Sequence, residues 1–286
     1  MRPEESFLDI IHQHLNSDET VLSVFDHHSI QFIQEKIAHE EPDLDAIEKQ
    51  IGRDPSLTGQ VLKAANSAFF KGLTKVSTIR NAIIRLGTGE ISNIARLLMK
   101  HDVSCNDSFC NRTIEKLWRH SMGCAIGSKW LAKQCGFESL MPEAFTAGLL
   151  HDVGKLLLIT VVENLYRSEK NELRPSDLLL NEVMETFHAE HGYLLLKNWN
   201  LPEQYCKVAR EHHFEEVNPN DTLLIMVRLV NKVCNKLGIG LHEDPSIILA
   251  ATPEANHLGV SEVFLAKLEI TLEDSLLSPN AADQHI

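Results

Sequence analysis

An adjacent His-Asp pair, His151-Asp152, stands inside an apolar run at residues 148–155. The imidazole nitrogen and carboxylate oxygen of such a pair can bind one divalent metal ion, and a bound ion can activate water for hydrolysis. Lys155 follows three residues later, where its ammonium group could hold a phosphate oxygen or only a water molecule. Metal-dependent hydrolysis is therefore the first chemistry to test against the rest of the chain.

Further ligand-type side chains fall on other predicted helices. His120 lies on the apolar face of a helix predicted over 113–134, and taken alone it would be a core histidine bonded to a carbonyl. Glu185 and His188 are three residues apart, which puts a carboxylate and an imidazole on one helix face. Glu-rich surface helices often produce the same spacing, so this pair gains meaning only beside the others.

Two adjacent histidines, His212-His213, end another predicted helix. One of them could face the site, or both could interact with the helix dipole at this C-terminus. His191 is expected to be solvated or to support a ligand from behind. His101-Asp102 repeats the dipeptide beside a polar loop, and we expect it to play no part.

Apolar residues recur at helical spacing along the chain, and no alternating strand pattern occurs, so the predicted fold class is all-α. Asp54-Pro55 predicts a helix start, and Gly87 and Gly136 predict helix ends. Phe69 is expected to share the buried face of the helix that Pro55 opens. Helices are predicted twice within 6–38, then at 44–51, from 55, 76–86, 90–100, 113–134, from 142 through the His-Asp pair, 177–198, 202–213, 221–237 and 260–277.

The charge and the cysteines bear on partners and location. With 27 basic and 40 acidic side chains the formal charge is −13, which repels phosphate backbones and anionic lipids, so DNA, RNA and membranes are not expected partners. The N-terminus lacks the order of a signal peptide, and no apolar run of membrane-spanning length is expected. The six cysteines have no framework spacing and are expected to be reduced thiols. These features predict a cytoplasmic protein.

The order of the candidate ligands resembles the HD phosphohydrolase superfamily, which includes the HD-GYP cyclic-dinucleotide phosphodiesterases. Three N-terminal motifs resemble the HDOD domain, a signalling relative of the same fold: Asp54-Pro55-Ser56-Leu57, Ala65-Asn66-Ser67-Ala68-Phe69-Phe70 and Ala82-Ile83-Ile84-Arg85-Leu86-Gly87. The resemblance covers roughly 21–240. It implies a two-lobed bacterial protein with an N-terminal helical lobe at 1–104, an HD-like helical bundle at 105–277 and a flexible tail at 278–286.

The resemblance also implies a metal site for one or two divalent ions of Fe, Mn, Ni or Zn. Its ligands would be His120, His151, Asp152, Glu185, His188, His212 and His213. HD hydrolases complete this shell with a later aspartate, where this chain has Asn231, and an amide brings no negative charge to offset the ion. Metal affinity and water activation should therefore fall, and one ion on His120, His151 and Asp152 is easier to accept than two. No Gly-Tyr-Pro triplet follows the His-Asp pair.

Two functions remain open. HDOD proteins are generally regarded as non-catalytic, so the first expectation is a stand-alone signal-transduction module that binds a protein partner, with the retained ligands forming a metal site or only a buried polar network. The alternative is a metal-dependent phosphohydrolase acting on a nucleotide or cyclic dinucleotide, with Lys155 as a catalytic residue that steadies a phosphoryl oxygen. A site that senses a nucleotide without cleaving it ranks behind both.

Overall fold

The computed structural model describes residues 27–39, 41–100, 108–168, 176–216 and 218–276, and over these ranges every regular element is helical. The helices are α1 (His27–Ile37), α2 (Leu44–Ile51), α3 (Pro55–Ala65), α4 (Ile79–Lys100), α5 (Ser108–Gln134), α6 (Met141–Leu150), α7 (Val153–Ser168), α8 (Asp177–Asn198), α9 (Glu203–Glu211), α10 (Thr222–Lys236), α11 (Pro253–Leu258) and α12 (Glu262–Leu276). The predicted all-α class is confirmed. The first predicted helix, His101-Asp102, the lobe boundary at 104/105 and the tail lie outside the described residues.

Local signals set several helix ends where they were predicted. The Asp54 carboxylate accepts hydrogen bonds from the backbone N–H groups of Ser56 and Leu57, and Pro55 occupies the first helical turn. Gly87 adopts φ 73° and breaks α4 into two helical segments. The predicted bounds of α2 and α8 are those observed.

Four expectations are wrong. Phe69 is 88% exposed, because α3 ends at Ala65 and leaves Phe69 in the following turn. The His-Asp pair does not lie inside one helix, since residues 151 and 152 form the turn between α6 and α7. Cys110 is disulfide-bonded rather than reduced, whereas Cys124, Cys135, Cys206 and Cys234 are free.

The fourth wrong expectation is that the chain has no apolar run of membrane-spanning length. Residues Glu138–Asn164 are long and apolar enough, by length and composition alone, to cross a membrane. Every residue in the most apolar window of that stretch is buried inside the protein. The stretch is therefore a core segment, as found in soluble proteins, and the cytoplasmic location stays a prediction.

Glycines bring the helices that carry the candidate ligands into backbone contact. A Cβ atom on Gly148 of α6 would lie 2.4 Å from the carbonyl oxygen of Cys124 on α5. A Cβ atom on Gly154 of α7 would lie 1.9 Å from the carbonyl oxygen of His188 on α8, and Gly192 faces the same contact. Only glycine permits these approaches, so the turn after α6 is held close to both α5 and α8.

The N-terminal helices pack directly on the others. Gly59 of α3 lies under the Trp199 ring, where an added Cβ would come within 2.2 Å of it. The Tyr205 hydroxyl donates to the Ser77 carbonyl at 2.6 Å, and the Asn200 amide donates to the Asn66 carbonyl at 2.9 Å. One hydrophobic core cluster extends through the described helices.

Candidate metal centre

The Asp152 carboxylate lies at the centre of the candidate site, with side chains from four helices around it. His120 comes from α5, and His151 and Asp152 come from the turn before α7. Lys155 lies in the first turn of α7 and His188 in the middle of α8. His212 and His213 follow the end of α9. The structure thus brings together six of the seven predicted metal ligands and Lys155.

The two oxygens of Asp152 have different neighbours. Oδ2 lies 3.0 Å from Nζ of Lys155, 3.6 Å from Nε2 of His120 and 3.7 Å from Nε2 of His151. Oδ1 lies 3.2 Å from Nε2 of His212 and 3.4 Å from Nε2 of His188. One oxygen therefore pairs with an ammonium group, while the other faces imidazoles alone.

Backbone carbonyls fix the tautomers of four histidines. Nδ1 bonds to a carbonyl oxygen in each case: His120 to Ile239 at 2.8 Å, His151 to Gly148 at 2.8 Å, His188 to Met184 at 2.7 Å and His212 to Ala209 at 2.9 Å. A carbonyl only accepts, so Nδ1 carries the hydrogen and Nε2 keeps a lone pair directed at Asp152. Metal-binding histidines are oriented in this way.

The buried site contains more hydrogen-bond acceptors than hydrogen-bond donors. Nε2 of His188 lies 3.3 Å from Nε2 of His212 and 3.0 Å from Nε2 of His213. In the first of these contacts two lone pairs face each other beside a carboxylate oxygen, which is repulsive unless a cation lies among them. Nε2 of His151 and Oδ1 of Asp152 are buried without a hydrogen-bond partner. These donor atoms fit a divalent cation.

A protonated imidazole could supply this positive charge, but the imidazoles described next are not protonated near neutral pH. Burial lowers the pKa of His188 to about 4 and that of His213 to about 3. Burial also lowers the pKa of His151 well below its ordinary value. These three imidazoles are therefore neutral near pH 7, which is the form that binds metal.

Lys155 and Asp152 form a buried ion pair. Burial alone would raise the pKa of Asp152, but Lys155 and the surrounding histidines together outweigh burial and hold that pKa well below its usual range. Burial would lower the pKa of Lys155, yet Asp152 and Glu185 raise it instead. Both groups stay charged, so the carboxylate is already partly neutralised by the protein itself.

Glu185 does not join the ligand groups. Around Asp152, two groups have ligand atoms within 4.8 Å of one another: Asp152 with His188, His212 and His213, and Asp152 with His120 and His151. Glu185 instead lies 3.3 Å from Nζ of Lys155 and 2.8 Å from Nε2 of His242. Burial would raise the pKa of Glu185, but His242 and Lys155 lower it to about 2. His242 was not identified from the sequence, where nothing near residue 242 marks a contact with α8.

Asn231 lies where the HD pattern places its last ligand. Together with His120, Asp152 and Lys155 it lines a cavity of about 20 Å³. A water molecule needs roughly 10–15 Å³, whereas small-molecule sites run to roughly 300–1,000 Å³. This cavity itself can hold an ion or a water, and at Leu241 and His242 it adjoins a cavity of about 350 Å³ that Arg112, Lys116 and Glu185 also line.

His191 is buried, and its Nδ1 bonds to the Phe187 carbonyl at 2.9 Å. It belongs to neither ligand group around Asp152. The expectation that it is solvated is therefore wrong.

Comparison with curated proteins gives a remote relative. An uncharacterized protein of Treponema pallidum (strain Nichols) is 26% identical over an alignment 193 residues long, which covers 63% of this chain and 36% of that protein. The matched stretch thus spans about a third of the length of that relative.

Two solved structures have similar folds. The MmoQ response regulator of Methylococcus capsulatus str. Bath is 22% identical with a TM-score of 0.67, covering 88% of this chain and 99% of its own. A virulence factor of Campylobacter jejuni subsp. jejuni is 18% identical with a TM-score of 0.60, covering 99% of this chain and 100% of its own. At these identities the likeness shows the fold alone.

The family comparison covers more than half of the sequence. The model of the HDOD domain matches residues 25–214, which include both the N-terminal motifs and every histidine ligand around Asp152. This chain belongs to the HDOD domain family.

Proposed function

We propose that this chain is a non-catalytic signal-transduction module that binds a protein partner. The observation that carries the proposal is the small cavity beside Asp152, which at about 20 Å³ has room for an ion or a water molecule but not for an ion together with a phosphoryl group. Two further features support it. Lys155 already neutralises Asp152 from within the protein, and Asn231 supplies no charge to a metal ion.

The metal centre in this proposal stabilises the helices and binds one ion. Asp152, His188, His212 and His213 are the ligands, because Oδ1 of Asp152 faces imidazoles only. On the other side, the ammonium group 3.0 Å from Oδ2 would repel a second ion. This assignment differs from the sequence-based preference for His120, His151 and Asp152. The ion is Fe, Ni or Zn, which imidazole ligands suit, or Mn, which the Asp152 carboxylate suits.

The surface proposed for the partner is the loop between α3 and α4, residues 66–76, here called the Asn66–Val76 loop. The Asn66 amide closes its base, donating to the Val76 carbonyl at 3.0 Å and accepting from the Val76 N–H at 2.8 Å. Arg85 donates to the Thr74 carbonyl at 3.1 Å. Asn66 and Arg85 belong to the motifs at 65–70 and 82–87 that resemble the HDOD domain. These two motifs thus build this loop and not the metal centre.

The tip of the Asn66–Val76 loop presents apolar side chains. Phe69 is 88% exposed and Leu73 is fully exposed, while the two bonds of Asn66 hold the loop ends together. Aromatic residues are enriched at protein interfaces, and a preformed loop loses little entropy on binding. The MmoQ protein, which has the same fold, is described as a response regulator, and this agrees with a signalling role.

The loop assignment is tested by comparing Phe69→Ser with Leu178→Ser. Leu178 is a matched control because it is also exposed, at 78%, but lies at the start of α8. The unaltered chain is used to capture partner proteins from the native host, and quantitative mass spectrometry measures their amounts. The amount of captured partner should fall at least tenfold with Phe69→Ser and stay the same with Leu178→Ser. Equal retention by both variants would contradict the assignment.

The absence of catalysis is tested with Asn231→Asp. An added carboxylate should raise divalent metal affinity about tenfold or more, measured by calorimetry, because it offsets the charge of the ion. Neither the unaltered chain nor the variant should hydrolyse bis(p-nitrophenyl) phosphate or a cyclic dinucleotide. Turnover by the unaltered chain near a typical enzymatic rate of about 10 s⁻¹ would overturn the proposal.

The second candidate remains a metal-dependent phosphohydrolase. It is favoured by the four imidazole lone pairs directed at Asp152. A bound divalent ion would supply Lewis acidity and a lowered pKa for bound water. This chain's own contribution would be Lys155, whose ammonium group stays charged beside Asp152 and would bind a phosphoryl oxygen only if the site opened.

A further inference from the structure

Two buried thiols face each other beside the metal centre. Cys124 on α5 and Cys234 on α10 are fully buried, and their sulfur atoms lie 3.9 Å apart. His120, one helical turn before Cys124, places Nε2 3.8 Å from the sulfur of Cys124. The three ligand atoms all lie within 4.8 Å of one another. None of the chemistry assigned to Asp152 uses either thiol.

The spacing of these atoms is that of a tetrahedral metal site. With metal–sulfur bonds of about 2.3 Å and metal–nitrogen bonds of about 2.05 Å, tetrahedral angles separate two sulfurs by about 3.8 Å and sulfur from nitrogen by about 3.6 Å. The observed separations are 3.9 Å and 3.8 Å. The third separation, from Nε2 of His120 to the sulfur of Cys234, is at most 4.8 Å.

The imidazole is oriented for this role by the loop after α10. Nδ1 of His120 bonds to the Ile239 carbonyl at 2.8 Å, which leaves the Nε2 lone pair free. Gly240, at φ 134°, lets that loop pass close to the ring, since an added Cβ would lie 3.0 Å from Nδ1. Two thiolates and a neutral imidazole would also balance the charge of a divalent ion in a buried position.

We propose that Cys124, Cys234 and His120 form a second metal site, which takes a borderline-soft divalent ion such as Zn²⁺ and leaves the fourth position to a water molecule. Binding forms two metal–thiolate bonds and releases the two thiol protons to solvent. His120 has only one free nitrogen, so an ion here excludes one held by His120, His151 and Asp152. The proposal is independent of the partner and of catalysis.

The site should load during folding. All three side chains are buried in the folded chain, so an added ion has no open route to them. Burial also raises the pKa of the Cys124 thiol well above its ordinary value, so a metal ion must displace the proton of that thiol. The chain is therefore unfolded in urea without a reductant, so that the disulfide of Cys110 stays intact, and refolded with Co²⁺, a spectroscopic substitute for Zn²⁺.

Refolded protein should show intense thiolate-to-cobalt charge-transfer absorption in the near ultraviolet. Cys124→Ala and Cys234→Ala should each lose at least nine tenths of that absorption. Cys206→Ala is the matched control, since Cys206 is also a buried free thiol but lies on α9. It should keep the full signal.

A second measurement needs no variant. X-ray absorption of the unaltered chain refolded with one equivalent of Zn²⁺ should give two sulfur ligands at about 2.3 Å. A folded, Zn²⁺-loaded chain with only nitrogen and oxygen ligands would overturn the proposal. So would charge-transfer absorption that persists in Cys124→Ala and Cys234→Ala or disappears in Cys206→Ala.

Discussion

Lys155 is the residue on which the charge balance of the metal centre depends. Its ammonium group lies between the carboxylates of Asp152 and Glu185, at 3.0 Å and 3.3 Å. Its own side chain and that of Asp152 are almost wholly buried, at 5% and 3% exposed. A buried charge that loses its partner is costly because water cannot replace the lost interaction.

Lys155→Met should therefore reduce the free energy of unfolding of chelator-treated protein by about 3–5 kcal/mol. Urea denaturation followed by circular dichroism measures the loss. Lys207→Met is the control, since Lys207 pairs with Asp221 at 2.6 Å but is 30% exposed. It should cost at most about 1 kcal/mol, and equal costs for the two variants would show that the buried pair is not a special contributor.

The helices that carry the ligands touch one another through main-chain atoms, at positions where a glycine has no side chain to separate them. Gly154 allows α7 to contact α8 at His188, and Gly148 allows α6 to contact α5 at Cys124. The ligands on these helices therefore keep their spacing through main-chain packing. Changes in individual ligands, such as the asparagine at position 231, need not move the helices.

Gly154→Ala tests this packing. The added Cβ would overlap the His188 carbonyl oxygen at 1.9 Å, so α7 and α8 must separate, and we expect a loss of about 2–3 kcal/mol or more in the free energy of unfolding. Gly89→Ala on α4 is the matched control, because a Cβ atom at that position would have no neighbouring atom within 4 Å. It should be neutral or stabilising by up to about 1 kcal/mol. Denaturation midpoints that agree between the two variants would contradict the packing argument.

The sequence predicted most of the helices because their signals are local. Asp54-Pro55 and Gly87 set helix ends through their own backbone and side-chain bonding, and apolar spacing marked the buried faces. The contact of His242 with Glu185 could not be predicted, since the two residues are 57 positions apart and the loop path decides it. Phe69 was misplaced because apolar character does not reveal where a helix ends.

The whole molecule should lose stability on mild acidification. The unfolded chain protonates its histidines near pH 6.5, whereas burial holds the pKa of folded His188 at about 4. The unfolded state therefore binds more protons between these values. Stability is complete above about pH 6.5 and falls with decreasing pH, by about 1.4 kcal/mol per pH unit for His188 alone.

Urea midpoints of chelator-treated protein between pH 7.5 and 4.5 measure this slope. His188→Gln should flatten the slope, because the variant removes this depressed pKa. A midpoint that stays constant from pH 7.5 to 4.5 would contradict the prediction.

The buried apolar stretch Glu138–Asn164 also affects how the chain must be synthesised. Its packing partners include α8 and α10, which follow it in the sequence, so it emerges from the ribosome before they exist. Some 70 residues separate its end from the end of α10, which at roughly 5–20 residues per second leaves it uncovered for roughly 4–14 s. During that interval the nascent chain exposes a segment of membrane-like character to aggregation and mistargeting. Holdase chaperones that bind such segments should therefore increase the yield of folded protein.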